Sequence, residues 1–228
     1  MNINQQLVVT FIILIFSIIF FGMTNLDLAL QDRFYDFSTH KWVLFWGEEP
    51  YKFIFYDGIK KLLIAFAICL LLALVFFRRT KLVNDHKRGI IIVILSAIFV
   101  PLIASSIKAQ TNMPCPKDEE RYGGIYPRTA VWQNYTPEFK LHHMKKNKCW
   151  PAGHASGGFA LLSLIFLFHK KRHKIIAAAS AFLVGWGMGL YKMIIGDHFL
   201  SHTVITMILA WLVILLIAKI VNKIYSLR

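Results

Sequence analysis

Long apolar runs, broken by short polar stretches, set the scale of the elements in this chain. Six stand out: Leu7 to Met23, Leu62 to Phe77, Gly89 to Ile107, Ser156 to Phe168, Ile175 to Tyr191 and Thr203 to Val221. A helix needs roughly 17–25 mostly apolar residues to cross the hydrocarbon of a bilayer, so each run predicts one span. The fourth is short and needs Gly153 to Ala155 to reach across. The first lacks the basic n-region and the small-x-small cleavage site of a signal peptide, and reads as a retained anchor. The expected fold is therefore all-α, a six-helix integral membrane bundle forming a single membrane domain over residues 1–228. Within it, residues 1–61 hold the first span and an outer loop, and residues 62–228 hold spans two to six.

Composition agrees, since 57% of the 228 residues are hydrophobic, more than one soluble domain of this size can hide. The formal net charge of +14 raises nucleic acid as a partner, but its distribution speaks for membrane topology. Arg78, Arg79, Lys81, Lys87 and Arg88 follow the second run, Lys170, Lys171, Arg172 and Lys174 follow the fourth, and Lys219, Lys223 and Arg228 end the chain. An even number of spans separates these clusters, so they share one side. Basic residues in short loops are retained in the cytoplasm, where they also meet anionic headgroups. Nucleic-acid binding would want aromatics interleaved with the charges in a polar domain.

Both termini are then expected in the cytoplasm, with the connections Thr24 to Lys61, Lys108 to Ala155 and Lys192 to His202 facing outward. In the first, Trp42, Phe45, Trp46, Tyr51, Phe53, Phe55 and Tyr56 predict a segment lying in the membrane interface, where amphipathic rings settle. Its competing reading is a cleft for a lipid tail. Asn134-Tyr135-Thr136 matches a glycosylation acceptor, but a three-residue match arises by chance and no glycan is expected.

The other two outer connections concentrate phosphate-handling side chains. Ile107-Lys108 leaves the third span and leads to Cys115-Pro116-Lys117. Cys149-Trp150-Pro151-Ala152-Gly153-His154 enters the fourth, and Lys192 is followed by Gly196-Asp197-His198 and then His202 at the start of the sixth. Titratable residues at span ends are costly to hold near lipid unless something uses them. Phosphoryl transfer needs an in-line nucleophile, an acid for the leaving oxygen, and cations or N–H donors around the equatorial oxygens. Two imidazoles and two ammonium groups supply these. His154 lies near a helix N-terminus, which favours an anion and disfavours imidazolium, so a neighbouring phosphate is needed to keep it protonated. Gly153, Gly157 and Gly158 allow close backbone approach to a ligand or, equally, to the next helix.

In order and spacing these stretches resemble the three-part signature of the type 2 phosphatidic acid phosphatase superfamily. That signature runs Lys-x6-Arg-Pro, then Pro-Ser-Gly-His, then Ser-Arg-x5-His-x3-Asp. Lys108 and Cys115-Pro116 fit the first with Cys for Arg. Pro151-Ala152-Gly153-His154 fits the second with Ala for Ser. Lys192, His198 and His202 fit the third with Lys for Arg and His for Asp. The resemblance covers about Lys108 to the C-terminus and implies that the catalytic motifs lie on the outer-facing loops. It implies His198 as the nucleophile that becomes phosphohistidine, His154 as the acid, His202 as the residue orienting His198, and Lys108 with Lys192 as the phosphate clamp alongside Gly153.

Cys115 cannot make a bidentate phosphate contact, so the clamp loses a cation or borrows one from Lys117, Arg121 or Arg128, with Lys117 the first choice. Lys192 keeps the charge without the planar fork of Arg. A neutral His202 can accept the N–H bond that the usual carboxylate accepts, which preserves orientation without charge stabilisation. Cys115 and Cys149 lie in one outer loop, where thiols are oxidised, and a disulfide between them is expected; closing about 35 residues gives roughly 3–4 kcal/mol in the chain-entropy model. Cys69, inside the second run, reads as a small buried hydrophobe.

Two rival readings differ in chemistry. His198 and His202 with His154, His142, His143 or a Cys have the makings of a zinc site, though no Glu base accompanies them, and the favoured reading has no metal and no cofactor. Alternatively the basic residues attract lipid phosphate in a carrier or channel, which would put charges within paired broken helices. The resemblance implies hydrolysis of a bacterial lipid phosphate at the periplasmic face of the inner membrane. Lipid A is the first choice, undecaprenyl pyrophosphate or phosphatidylglycerophosphate next, and lipid-to-lipid phosphotransfer is the enzymatic alternative. The bilayer is then the chain's main partner, nucleic acid is not one, and oligomeric state is open.

Overall fold

Each apolar run is helical in the computed structural model, which describes residues 1–142 and 147–227, and most helices outrun the stretch that predicted them. Helix α1 covers Ile3–Met23, α3 Ile59–Phe76, α4 Lys81–Gln110, α7 Lys171–Ile194 and α8 Leu200–Ser226. A π-helical lead-in, Phe53–Gly58, precedes α3. Caps rather than hydropathy fix the starts of α1 and α4. The Asn2 side chain accepts from Gln5 N at 2.9 Å while Asn2 N donates to the Gln5 side chain at 3.0 Å, a capping box on α1. Thr80 receives Val83 N and starts α4 well before the predicted Gly89, so Lys81, Lys87 and Arg88 lie inside the helix. Apolar runs measure the thickness of the hydrocarbon, whereas the backbone ladder continues into water until capping or a turn ends it.

The all-α membrane bundle stands, with one difference in the count of full spans. Among the described residues five helical stretches are long and apolar enough to cross a bilayer, with Phe53–Phe76 as one of them. The expected fourth span is instead a shorter segment. It begins as α6, Gly153–Ala160, and tightens into a 3-10 turn over Leu161–Phe166. Because a 3-10 helix rises about 2.0 Å per residue and an α-helix 1.5 Å, the segment reaches about 24 Å against a hydrocarbon core of about 30 Å.

Helix α8 is central, packing on α1, α4, α6 and α7. The main core gathers Ile92, Phe159, Ala210, Ile214 and Ala218 from α4, α6 and α8. A Cβ on Gly158 would lie 2.7 Å from the Gly185 Cα, so α6 and α7 meet backbone to backbone and Gly158 is a packing glycine. Helix α3 stays at the edge against α4 and α6, with no buried residue.

The connection after α1 forms a cap over one end of the bundle. It holds α2, Leu26–Gln31, and a two-stranded antiparallel hairpin, β1 Tyr35–Asp36 with β2 Lys41–Trp42. A short helix, α5, Pro137–His142, lies in the connection after α4. Contacts join the C-terminal ends of α1, α4 and α7 to the N-terminal ends of α3, α6 and α8 at this capped end. The helices therefore alternate in direction, and the clusters beginning at Arg78 and Lys170 and the C-terminal lysines lie together at the opposite end. Arg228, which closes the last cluster in sequence, is outside the described residues.

Candidate active site

A turn between α7 and α8 carries the centre of the site, and its shape follows from Gly196. With φ +75° this glycine ends α7 in a Schellman motif: Gly196 N donates to Met193 O at 3.0 Å and Asp197 N to Lys192 O at 2.8 Å. The chain is thereby folded back so that Lys192, Asp197 and His198 face one another. Two side chains of α2 brace the turn. Gln31 donates to Met193 O at 2.8 Å, and Asp27 accepts Ser201 N at 2.8 Å and Ser201 Oγ at 2.6 Å, so the N-terminus of α8 is capped from another element.

His198 is 3% exposed and His202 is fully buried, with their Nδ1 atoms 3.3 Å apart. That contact leaves Nε2 of His198 for chemistry. Burial first, then the positive fields of His202, Lys108, His154 and Lys192, hold the His198 imidazole well below its ordinary range, so it is neutral and carries a free lone pair. His154, second residue of α6, meets the Tyr56 hydroxyl through Nε2 at 2.8 Å, while its Nδ1 has no partner among the described residues.

The cations converge on Asp197. Lys192 Nζ lies 2.7 Å from Oδ2 and Lys117 Nζ 2.6 Å from Oδ1. Burial works to raise the Asp197 carboxyl, but the field of Lys192 and the hydrogen bonds from Lys117 and Lys192 outweigh it, and it lies below its ordinary value. Lys192 is also enclosed by aromatic faces, 3.9 Å from the Trp46 ring centroid and 4.5 Å from that of Tyr56. Lys108 lies along the start of α6, where a Cβ on Gly153 would sit 3.9 Å from its Cδ.

The ends of α4 and α6 are stitched together by Thr111 Oγ1, which donates to Trp150 O at 2.6 Å, and by a disulfide between Cys115 and Cys149, Cα atoms 5.2 Å apart. The sulfur of Cys149 reaches 3.5 Å from His198 Nδ1, so the cross-link forms part of the wall behind the imidazole. Cys69 is exposed on α3 rather than buried, because α3 sits at the edge of the bundle and Cys69 lies on its outward side.

All the sequence-predicted site residues thus gather at one end of the bundle: His198, His202, His154, Lys108, Lys192, Lys117 and Gly153 with the Cys115–Cys149 link. Arg121 and Arg128 do not join them. Arg121 makes a bidentate pair with Asp32, at 2.8 and 2.6 Å, and Arg128 donates to Thr24 O at 3.1 Å. For the zinc alternative, Cys149, His198 and His202 are the one group of three close enough to share an ion among the described residues, and the sulfur of Cys149 is tied up in the disulfide. His143 and the side chain of His142 lie outside the described residues.

Sequence reasoning missed Asp27, Gln31, Trp46, Tyr56 and Asp197. Asp27 carried a signal, an acidic residue in an otherwise apolar stretch at a span end. The first outer loop is more than an interfacial segment, since Trp46 and Tyr56 reach the site directly.

A groove of about 470 Å³ opens beside His154, lined by apolar residues of α3, α4 and α6 such as Leu63, Phe66, Ile94 and Ile98, with Lys60 at its polar end. Comparison with known proteins agrees with this geometry. Residues 89–226 match the PAP2 superfamily, a span that contains the whole histidine and lysine cluster. Over 212 residues, 87% of this chain and 86% of the relative, the sequence is 28% identical to a protein named lipid A 4'-phosphatase from Francisella tularensis subsp. novicida (strain U112). No solved structure gives a significant match. With more than half of its length matched by the family model, the chain belongs to the PAP2 superfamily and is a multi-pass membrane lipid phosphatase.

Proposed function

We propose that the chain removes a phosphate from a bacterial lipid at the periplasmic face of the inner membrane through a phosphohistidine, with lipid A as the first substrate to test. The carrying observation is a neutral, buried His198 set against His202 within the field of Lys108, Lys192 and His154, beside an apolar groove. His202 Nδ1 accepts a hydrogen bond from the Nδ1–H of His198, which leaves the Nε2 lone pair to attack phosphorus. As the N–P bond forms, the bond from phosphorus to the lipid oxygen breaks. His154, kept as imidazolium by the bound phosphate, gives that oxygen its Nδ1 proton and becomes neutral while Tyr56 holds Nε2. Water then attacks the phosphohistidine, His154 takes a proton from the water, and inorganic phosphate leaves with His198 restored.

Lys108, Lys192 and Lys117 surround the phosphoryl oxygens, aided by free N–H groups in the first turn of α6. The groove takes an acyl or isoprenoid chain from the bilayer, consistent with α3 being a thin outer wall. The name of the relative, lipid A 4'-phosphatase, supports lipid A over undecaprenyl pyrophosphate and phosphatidylglycerophosphate.

Purified protein and its His198→Ala and His154→Ala forms should be assayed for phosphate release from these three lipids. We expect His198→Ala to abolish turnover and the acid-labile phosphoenzyme together. His154→Ala should still be phosphorylated by a substrate with a good leaving group. Chelators should leave the wild type unchanged. Phosphate release persisting in His198→Ala, or zinc-restored activity after chelation, would overturn the mechanism. Radiolabel passing to an added acceptor lipid instead of water would replace hydrolysis by transfer.

A further inference from the structure

A second cavity, of about 190 Å³, lies on the other side of the α8 N-terminal turn from His198 and is lined by Asp27, Glu119, Arg128, Trp132, Trp150 and Phe199, among others. Neither His198 nor His202 lines it, whereas Phe199 and Ser201 do, so the turn separates it from the catalytic centre. Glu119 is 1% exposed and both of its carboxylate oxygens lack a hydrogen-bond partner among the described residues. Buried polar groups almost always have partners, so an unpaired carboxyl facing a cavity implies that something else fills it.

The surroundings narrow what that is. Asp27, 3% exposed, adds a second acidic group whose oxygens are already engaged by Ser201. Trp132, Trp150 and Phe199 offer ring faces, which attract cations. Arg128 is exposed, so the positive group lies outermost and the carboxylates innermost. Burial pushes the Glu119 carboxyl up to about 8, and the field of Arg128 acts in the opposite direction. A bound cation would favour its ionised form in the same way.

We propose that this cavity binds a zwitterion of the ethanolamine phosphate type, with its primary ammonium on Glu119 beside Asp27 and its phosphate toward Arg128. A primary ammonium has three N–H donors for the unpaired oxygens, and a guanidinium pairs well with phosphate. A quaternary ammonium lacks the donors and leaves Glu119 unsatisfied. The ligand is either the headgroup of a bilayer lipid or a free small molecule.

Thermal unfolding of the full chain in detergent tests this, with glycerophosphoethanolamine, glycerophosphocholine, ethanolamine and glycerol 3-phosphate as probes. Glycerophosphoethanolamine should raise Tm by roughly 5–10 °C at about a hundred times its Kd. Ethanolamine should give a smaller rise, and glycerophosphocholine and glycerol 3-phosphate none. Glu119→Gln should lose the response, Arg128→Ala should reduce it to that of ethanolamine, and His198→Ala should leave it intact, which separates this site from the catalytic one. In nanodiscs, a lipid headgroup as the natural ligand predicts that phosphatidylethanolamine discs are already stabilised and that the soluble probe adds nothing. A free ligand predicts equal shifts in phosphatidylethanolamine and phosphatidylglycerol discs. No shift with glycerophosphoethanolamine would mean a cavity holding water only, and would overturn the proposal. So would an equal shift with glycerophosphocholine, or a full response in Glu119→Gln.

Discussion

Between the two ammonium groups of Lys117 and Lys192 sits a carboxylate, Asp197, where the proposed reaction calls for a phosphate. Its oxygens lie 2.6 and 2.7 Å from the two Nζ atoms. Asp197 therefore holds the lysines in place and, in the proposed reaction, would compete with the phosphate for them. Asp197→Asn keeps the shape and removes the charge. If competition dominates, inhibition by inorganic phosphate should strengthen about tenfold, the worth of roughly 1.5 kcal/mol in one charge-assisted hydrogen bond, and KM should fall with it. Weaker phosphate inhibition would instead make Asp197 a positioning residue. His198 bears on pH. Its pKa is held well below 6.5 and the proposed attack needs the neutral ring, so the acid limb of activity should lie below the range where a free imidazole titrates. His202→Asp places a carboxylate beside His198, raises that pKa and should move the acid limb of kcat/KM upward, and an unmoved limb would mean that the two rings do not couple. The histidines and lysines were legible in the sequence because rare residue types stood at fixed spacings. Asp197 lay among them unread, since its meaning depends on Lys117 arriving from another loop.

Helix α2 spans only Leu26–Gln31, yet it holds both ends of the catalytic turn, Gln31 on Met193 O and Asp27 on the first turn of α8. Asp27→Ala removes a helix cap and leaves the Ser201 hydroxyl and N–H unpaired. The cost should be about 1–2 kcal/mol, or roughly 2–8 °C in Tm, and kcat should drop because His198 rides on the displaced turn. Gln31→Ala should act in the same direction through Met193 O. Thermal unfolding and kinetics on both variants check this, and unchanged Tm with unchanged kcat would show that α2 is dispensable. None of this bracing could be read from the chain, because a six-residue helix gives no periodicity and its partners are far away in sequence. The long helices were legible from their apolar runs. Their ends were not, since Thr80 and the Asn2 capping box set them outside the hydrocarbon, and neither was the 3-10 turn over Leu161–Phe166.

At the scale of the whole molecule the decisive property is which end faces which compartment. The helices alternate, the site and its disulfide share one end, and the basic connections around Arg78 and Lys170 share the other. Two independent arguments support the proposed orientation. Basic residues in short loops stay in the cytoplasm, and a Cys115–Cys149 bond persists where thiols are oxidised, outside it. In the proposed orientation His198 lies at the outer face, where a lipid phosphate must be presented for the proposed reaction. Reporter fusions after Thr80 and His173 should therefore behave as cytoplasmic and a fusion after Asn134 as periplasmic. Protein prepared without reductant should give a Cys115–Cys149 linked peptide in non-reducing mass spectrometry. Since the link pins the end of α4 to the start of α6, Cys115→Ser should lower stability by roughly 3–4 kcal/mol in the chain-entropy model while changing the phosphoryl-transfer step less. Periplasmic activity from the Thr80 fusion together with free thiols would turn the molecule over, place the histidines in the cytoplasm and rule out substrates displayed on the outer leaflet.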